Sequence, residues 1–229
     1  EWLKGGVMNI IAAGIFDAFT KNNVHYLLGG LGITVGVSII SVIGSLIFGS
    51  FIGIIIYEKI PFLSRYVSII NDVIRNLPLL LIIFFVYFVL PVIGIYLPVF
   101  WATVIAMTVF ESTMLAEIIR GGLLAIPIGQ TEGARSVGMT NQQALLNIIL
   151  PQAIKKMIPP IISQLISLVK DTSLAVGIVL AEMTFRGQII YAQNSNYTIP
   201  VFIALAIMYF ILNYGLSLIA RWFDHRMAA

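Results

Sequence analysis

Apolar residues run along this chain in long unbroken blocks, with polar residues gathered between them. Three stretches carry no Asp, Glu, Lys or Arg: Tyr26–Tyr57, Asn76–Phe110 and Gly187–Ala220. A helix needs roughly 20 apolar residues to cross a bilayer. The first and third blocks therefore hold one span each, and the second holds two, folded back at Pro91, Gly94 and Pro98. A shorter run, Met157–Val169, predicts a further span with Lys155 and Lys156 snorkelling at one end. The pattern predicts an all-α membrane protein with five transmembrane helices, at about 27–56, 70–90, 98–119, 153–169 and 199–220. Thr172–Ala181 is apolar but too short to span, which predicts a short re-entrant or interfacial helix after the fourth span. Residues 1–25, weakly amphipathic with Asp17 and Lys21, read as an interfacial segment ahead of one transmembrane domain over 26–229.

Basic residues set the orientation. With the N-terminus outside, Lys59, Arg65, Arg75, Arg120, Arg135, Lys155, Lys156, Arg221 and Arg226 fall on the inner side, nine of the thirteen. Lys4, Lys21, Lys170 and Arg186 stay outside. That asymmetry predicts N-out, C-in. The composition agrees: 59% hydrophobic and 10% charged, where soluble domains carry about 25% charged residues. The net charge of +3 belongs to the inner membrane surface, because no basic run or aromatic ladder is present to take nucleic acid. Zero cysteines exclude disulfides, Fe–S clusters and thiolate zinc sites. His25 and His225 have no partner at ligand spacing, so no metal site is expected. No Ser–His or paired-carboxylate arrangement points to an enzyme.

The long polar interruption at 120–151 is the most informative segment. Gly121-Gly122 predicts a loosened end to the third span, and Pro127 with Gly129 predicts a break. A short helix is expected from Glu132 to about Val137, with Glu132 near its N-terminus, where the macrodipole favours an anion. Gly138 stands where a helix-ending glycine of positive φ is expected. Thr140-Asn141-Gln142-Gln143 is a capping box that starts a second helix. Ala144, Leu145, Ile148 and Ile149 form its apolar stripe, and Pro151 marks the junction with the next span. The expected unit is a helix, a glycine turn and a helix at the inner surface.

Within the spans, Glu111 is the candidate for a translocation path, since ionisable groups at such depth are costly and face a cavity or a partner. Glu117 and Arg120, three apart on one helix face, predict a structural ion pair. Lys170-Asp171-Thr172-Ser173 follows the fourth span as a break that can aim dipoles and side chains at a zwitterion. Asn71, Asn76, Ser163, Gln164 and Ser167 line a path or hydrogen-bond between helices; the sequence leaves both open.

These motifs together resemble a known family. Ala116-Glu117-Ile118-Ile119-Arg120-Gly121-Gly122, then Ile126-Pro127-Ile128-Gly129-Gln130-Thr131-Glu132-Gly133-Ala134-Arg135-Ser136-Val137-Gly138, is similar to the permease subunits of polar amino-acid type I ABC importers, which include the histidine and glutamine permeases. Leu150-Pro151-Gln152-Ala153, Pro159 and Lys170-Asp171-Thr172-Ser173-Leu174 continue the likeness. Arg75-Asn76-Leu77-Pro78-Leu79-Leu80 is close to the family's Arg-Gly-Thr-Pro-Leu-Leu. The segment at 132–151 resembles the family's EAA coupling loop. By resemblance, Glu132, Gly133, Ala134 and Gly138, with Ile148, Leu150 and Pro151, couple the chain to an ATPase. Gly133 stands where the family has alanine, which weakens the first helix by up to about 1 kcal/mol.

The resemblance implies a bacterial inner-membrane permease that imports a polar amino acid, glutamine or glutamate favoured. It implies a second permease chain, two ATP-binding subunits and an extracytoplasmic solute-binding protein as partners. The chain lacks a Gly-x-x-x-x-Gly-Lys-Ser/Thr run, so ATP and Mg would be bound by the partner ATPase and this chain would carry no cofactor. The alternative is a stand-alone secondary transporter or channel, although no convincing internal repeat supports it.

Overall fold

The structure is a computed structural model that describes residues 17–228. Residues 1–16 of the expected interfacial segment, Lys4 among them, lie outside the described residues, as do the side chains of His225 and Arg226. Every regular element among the described residues is helical. Four helical runs are long and apolar enough to cross a bilayer, and a fifth is a bent pair.

Helix α1, Lys21–Tyr57, starts where Thr20 Oγ1 accepts from Asn23 N at 3.2 Å. It therefore takes in Lys21–His25, expected to belong to the interfacial segment. Its 37 residues extend about 55 Å, well beyond a hydrocarbon core of about 30 Å. Its buried stripe is made of small residues, Gly30, Thr34, Ser38, Ser41, Ser45, Gly49 and Gly53, while Ile39, Ile43, Ile47 and Phe51 point outward. Small side chains let two backbones approach without a hydrophobic driving force. Here they admit the third span: a Cβ on Gly53 would sit 2.7 Å from the Ala116 carbonyl oxygen, and Ser41 Oγ donates to the Val104 carbonyl at 3.4 Å.

The second span departs from the expectation of one helix over 70–90. Helix α2, Leu63–Arg75, and the helix that follows from Leu79 meet at 103°. Pro78 lacks an N–H and drives Leu77 out of the helical region, so the helix ends at Asn76. Helix α3, Leu79–Phe84, continues as a π turn at Phe85–Val89 and a 3₁₀ turn at Leu90–Ile93, closed by Gly94 at φ +88°. Helix α2 exposes several apolar side chains alongside Arg65 and Asp72. Asn71 is buried and Ser64, Ser68 and Arg75 are half-buried, whereas Leu63, Tyr66, Ile69, Ile70 and Val73 are exposed.

Helix α4, Val99–Leu124, runs through Gly121 and Gly122 instead of loosening there. Gly122 leaves room for the Met157 side chain, which a Cβ would strike. Helix α5, Ile128–Ser136, and helix α6, Asn141–Ala144, form the inner loop. A π turn at Leu145–Ile149 leads into helix α7, Leu150–Asp171, which tightens to a 3₁₀ turn at Thr172–Ile178. The fourth span is thus one helical run from 141 to 178, not a helix broken at Lys170. The chain turns only at Val179, φ +64°. Thr172–Ala181, expected as a separate short helix, instead holds the 3₁₀ end of this span and the turn at Val179, because no residue before Val179 breaks the helical path. Helix α8, Met183–Tyr191, follows it, and helix α9, Thr198–Ala228, is the last.

Leu79, Ile83, Met107, Leu168 and Ile178 form the central core, joining α1, α3, α4 and α7. A second cluster, Ile119, Leu123, Ile149, Ala153 and Met157, packs beneath the inner loop. A third joins α1, α8 and α9 through Leu27, Met183, Ile190, Val201 and Leu205.

Candidate functional site

The inner loop owes its shape to two capping motifs. Helix α5 begins at Ile128, four residues earlier than expected, because Pro127 at its N-cap lacks only an N–H that a helix start leaves unpaired and Gly129 is tolerated within the helix. Glu132 consequently stands mid-helix, and the macrodipole argument for its position does not apply. The helix ends in a Schellman motif: Met139 N donates to the Ala134 carbonyl at 3.2 Å and Gly138 N to that of Arg135 at 3.0 Å. Gly138 takes φ +88°. Thr140 opens α6 with a complete capping box, its Oγ1 accepting from Gln143 N at 3.2 Å while Gln143 Oε1 accepts from Thr140 N at 2.9 Å. Arg135 donates to the Asn141 side chain across the turn.

The loop is also fastened to the spans. Ala134, Ala144 and Ile149 are buried. Gln152 Nε2 donates to Gln130 Oε1 at 3.2 Å, and Lys156 Nζ donates to the Ala125 carbonyl at 2.8 Å. Lys156 therefore caps the C-terminus of α4, where it was expected to snorkel. Outward, the loop presents Ile128, Glu132, Gly133, Val137 and Gly138. Glu132 has no ion-pair partner among the described residues. Of the remaining loop candidates, Ile148 and Leu150 are half-buried and Pro151 is exposed. The result is a braced platform with an exposed acidic and apolar face.

Within the membrane, Glu111 is fully buried on α4 and accepts from Gln164 Nε2 of α7 at 3.0 and 3.3 Å. Asp171, half-buried, lies two turns beyond Gln164 on the same side of the helix, about 10 Å along it. Lys170 is exposed, and the structure brings it into no ion pair with Asp171 among the described residues. Thr172 and Ser173 turn their hydroxyls back to the Val169 and Lys170 carbonyls, at 2.8 Å each. No hydrogen bond or ion pair links Glu111 to the 170–173 group among the described residues.

Glu117 and Arg120 do pair, Arg120 Nε donating to Glu117 Oε2 at 3.3 Å. Arg75 joins them at 3.7 Å from Glu117 and 3.3 Å from Asp72, fixing the bent α2–α3 junction to α4. Sequence reasoning missed Glu182, which is fully buried at the N-cap of α8. It accepts from Thr184 N, Phe185 N and Tyr209 Oη at 2.8, 2.7 and 3.0 Å. Arg186 was counted only as a charge; it donates to the Tyr26 and Ala181 carbonyls and covers the Tyr26 ring at 4.6 Å. An acid directly before a Met-Thr-Phe helix start was the available signal. Among the described residues no three His, Asp or Glu side chains gather to hold a metal.

The sequence profile of the binding-protein-dependent transport system inner membrane component family matches residues 45–229. The chain belongs to this family. It is a multi-pass permease of a bacterial inner membrane. It is 48% identical over 211 residues to the probable glutamine ABC transporter permease protein GlnP of Bacillus subtilis, covering 91% of this chain and 97% of that one. It is 34% identical to the L-cystine transport system permease protein TcyB of the same organism, covering 88% and 86%. Among solved structures, the amino acid ABC transporter crystallised with histidines superposes with a TM-score of 0.83 at 32% identity, over 89% of this chain and 94% of that one. A permease of this family is a subunit of an ABC transport system, which disfavours the reading as a stand-alone secondary transporter.

Proposed function

We propose that this permease pairs with a second permease chain to form the path by which a polar amino acid enters the cell. Glutamine or glutamate is the favoured substrate. Separate ATPase subunits bind ATP and Mg, and a solute-binding protein delivers the amino acid from outside. Each ATPase docks on the 132–151 loop, with Glu132, Gly133 and Gly138 at the contact and Ala134, Ile148, Leu150 and Pro151 supporting it.

The observation that carries this reading is the braced platform. An isolated surface loop has no need of a Schellman turn, a capping box and two side-chain tethers while leaving Glu132, Ile128 and Val137 exposed. A rigid, exposed element suits transmission of force from a partner that closes on ATP. The tethers to α4 and α7 lead from the loop toward Glu111 and Gln164, so motion at the platform reaches the candidate path directly. On that path Glu111, Lys170, Asp171, Thr172 and Ser173 offer both charge signs to a zwitterion, while Glu117 and Arg120 hold the frame. The substrates named for the relatives support the amino-acid class.

Purification from native membrane in gentle detergent tests the reading. The expected result is co-purification of an ATP-binding subunit, two copies for each permease pair. Repeated isolation without any ATPase, in detergent and in nanodiscs, would overturn it.

A further inference from the structure

We infer that the Tyr209 hydroxyl, held by the buried Glu182 carboxylate, closes the turn at 172–182 and thereby positions Asp171 and Ser173 on the amino-acid path. This rests on the reading above that the 170–173 segment lines that path.

Glu182 does more than cap its own helix. Two backbone bonds, from Thr184 N at 2.8 Å and Phe185 N at 2.7 Å, suffice to start α8. The third reaches α9, where Tyr209 Oη donates to Glu182 Oε2 at 3.0 Å. That bond commits the only hydroxyl proton of the tyrosine, so the Thr184 hydroxyl, at 3.1 Å, donates to Tyr209 in turn. Arg186, one turn on, aims its guanidinium at the Tyr26 and Ala181 carbonyls and makes no ion pair with Glu182 among the described residues. Glu182 is fully buried, so its bond to Tyr209 is charge-assisted and shielded from water.

Both ends of the turn meet at this hydroxyl. From Thr172 the chain runs through the 3₁₀ turn and reverses at Val179, φ +64°. Leu180 N then donates to the Ala175 carbonyl at 3.2 Å, and Glu182 N to the Leu180 carbonyl at 2.8 Å. Thr172, also fully buried, faces Tyr209 from the other end. Asp171 and Ser173 flank Thr172, and both are half-buried. Successive side chains stand about 120° apart in a 3₁₀ turn and about 100° apart in an α-helix. Relaxation of the turn would therefore swing Ser173 relative to Asp171, and a clamp on Thr172 fixes their directions. Tyr209 acts through Thr172 and is a positioning residue.

The chain has no cysteine, so Ser173→Cys places a unique thiol within it. The whole importer carrying it, in proteoliposomes, is treated with a membrane-impermeant maleimide over a range of glutamine concentrations. Glutamine should slow the labelling. Tyr209→Phe, which removes one oxygen, should raise the half-protecting concentration about 3–20-fold, the range of an interhelical hydrogen bond. Leu205→Ala loosens the α8–α9 contact at Gly187 and leaves the hydroxyl in place. It should lower thermal stability with the half-protecting concentration unchanged. No shift in Tyr209→Phe overturns the inference, and so does an equal shift in both variants, which would make Tyr209 a packing residue only. If glutamine protects in no background while the unsubstituted chain still takes it up with ATP, the 170–173 segment lies off the path; the inference then fails and the transport reading stands. If ATP-driven uptake is absent as well, the transport reading fails with it.

Discussion

Gly133→Ala and Gly138→Ala add the same methyl group five residues apart, and the structure predicts opposite effects. A Cβ at either position meets nothing within 4 Å, so only backbone terms remain. Gly133 lies inside α5, where alanine is favoured over glycine by about 0.5–1 kcal/mol. Gly138 holds φ +88°, where an L side chain costs about 1–2 kcal/mol. With tenfold for each 1.4 kcal/mol, opening of the loop becomes about 2–5-fold rarer in Gly133→Ala and about 5–30-fold more frequent in Gly138→Ala. Hydrogen exchange of the α5 peptide, measured in nanodiscs without the ATPase, reads both shifts directly. Added ATPase should then bind Gly138→Ala more weakly by no more than the same 5–30-fold, because docking must restore the strained turn. Equal exchange in the two variants, or shifts of the same sign, would refute the account of this turn.

Three further outcomes follow from the packing and charges. Glu132→Lys reverses an exposed, unpartnered charge; thermal unfolding should move by less than about 0.5 kcal/mol, while ATP-dependent uptake falls by at least about tenfold. Gln164→Leu strips Glu111 of both its hydrogen bonds and should cost about 1–3 kcal/mol in unfolding experiments, with uptake reduced. Gly53→Leu forces α1 away from the Ala116 carbonyl and should cost about 1–3 kcal/mol or more, whereas Gly121→Ala, which faces open space, should leave the melting temperature unchanged or raise it.

The spans were legible because the charge-free blocks are long and the bilayer sets one length scale. Their internal geometry was less so. The bend at Asn76-Leu77-Pro78 was visible as a proline, yet apolar residues on both sides masked it as one continuous helix. Thr140 and Gly138 declared themselves, since capping depends on local chemistry. The start of α5 did not, because Pro127 both ends one helix and begins the next. The small-residue stripe of α1 went unread: in a bilayer the buried face is the small one, and a search for hydrophobic periodicity looks at the wrong side. Arg75 and Arg186 act through partners 42 and 160 residues away, which no local pattern reveals; Glu182 caps its own helix, and its local sign went unread. The Glu111–Gln164 pairing likewise exists only once α4 meets α7.

The central claim is ATP-driven uptake through a permease pair, and reconstituted transport tests it most directly. The chain, its second permease chain and the ATPase are placed in proteoliposomes, with the binding protein and labelled glutamine outside and ATP and Mg enclosed. The account predicts glutamine accumulation that requires enclosed ATP, persists when ion gradients are collapsed and is lost in Glu132→Lys. Accumulation that follows a sodium or proton gradient and ignores ATP would contradict it.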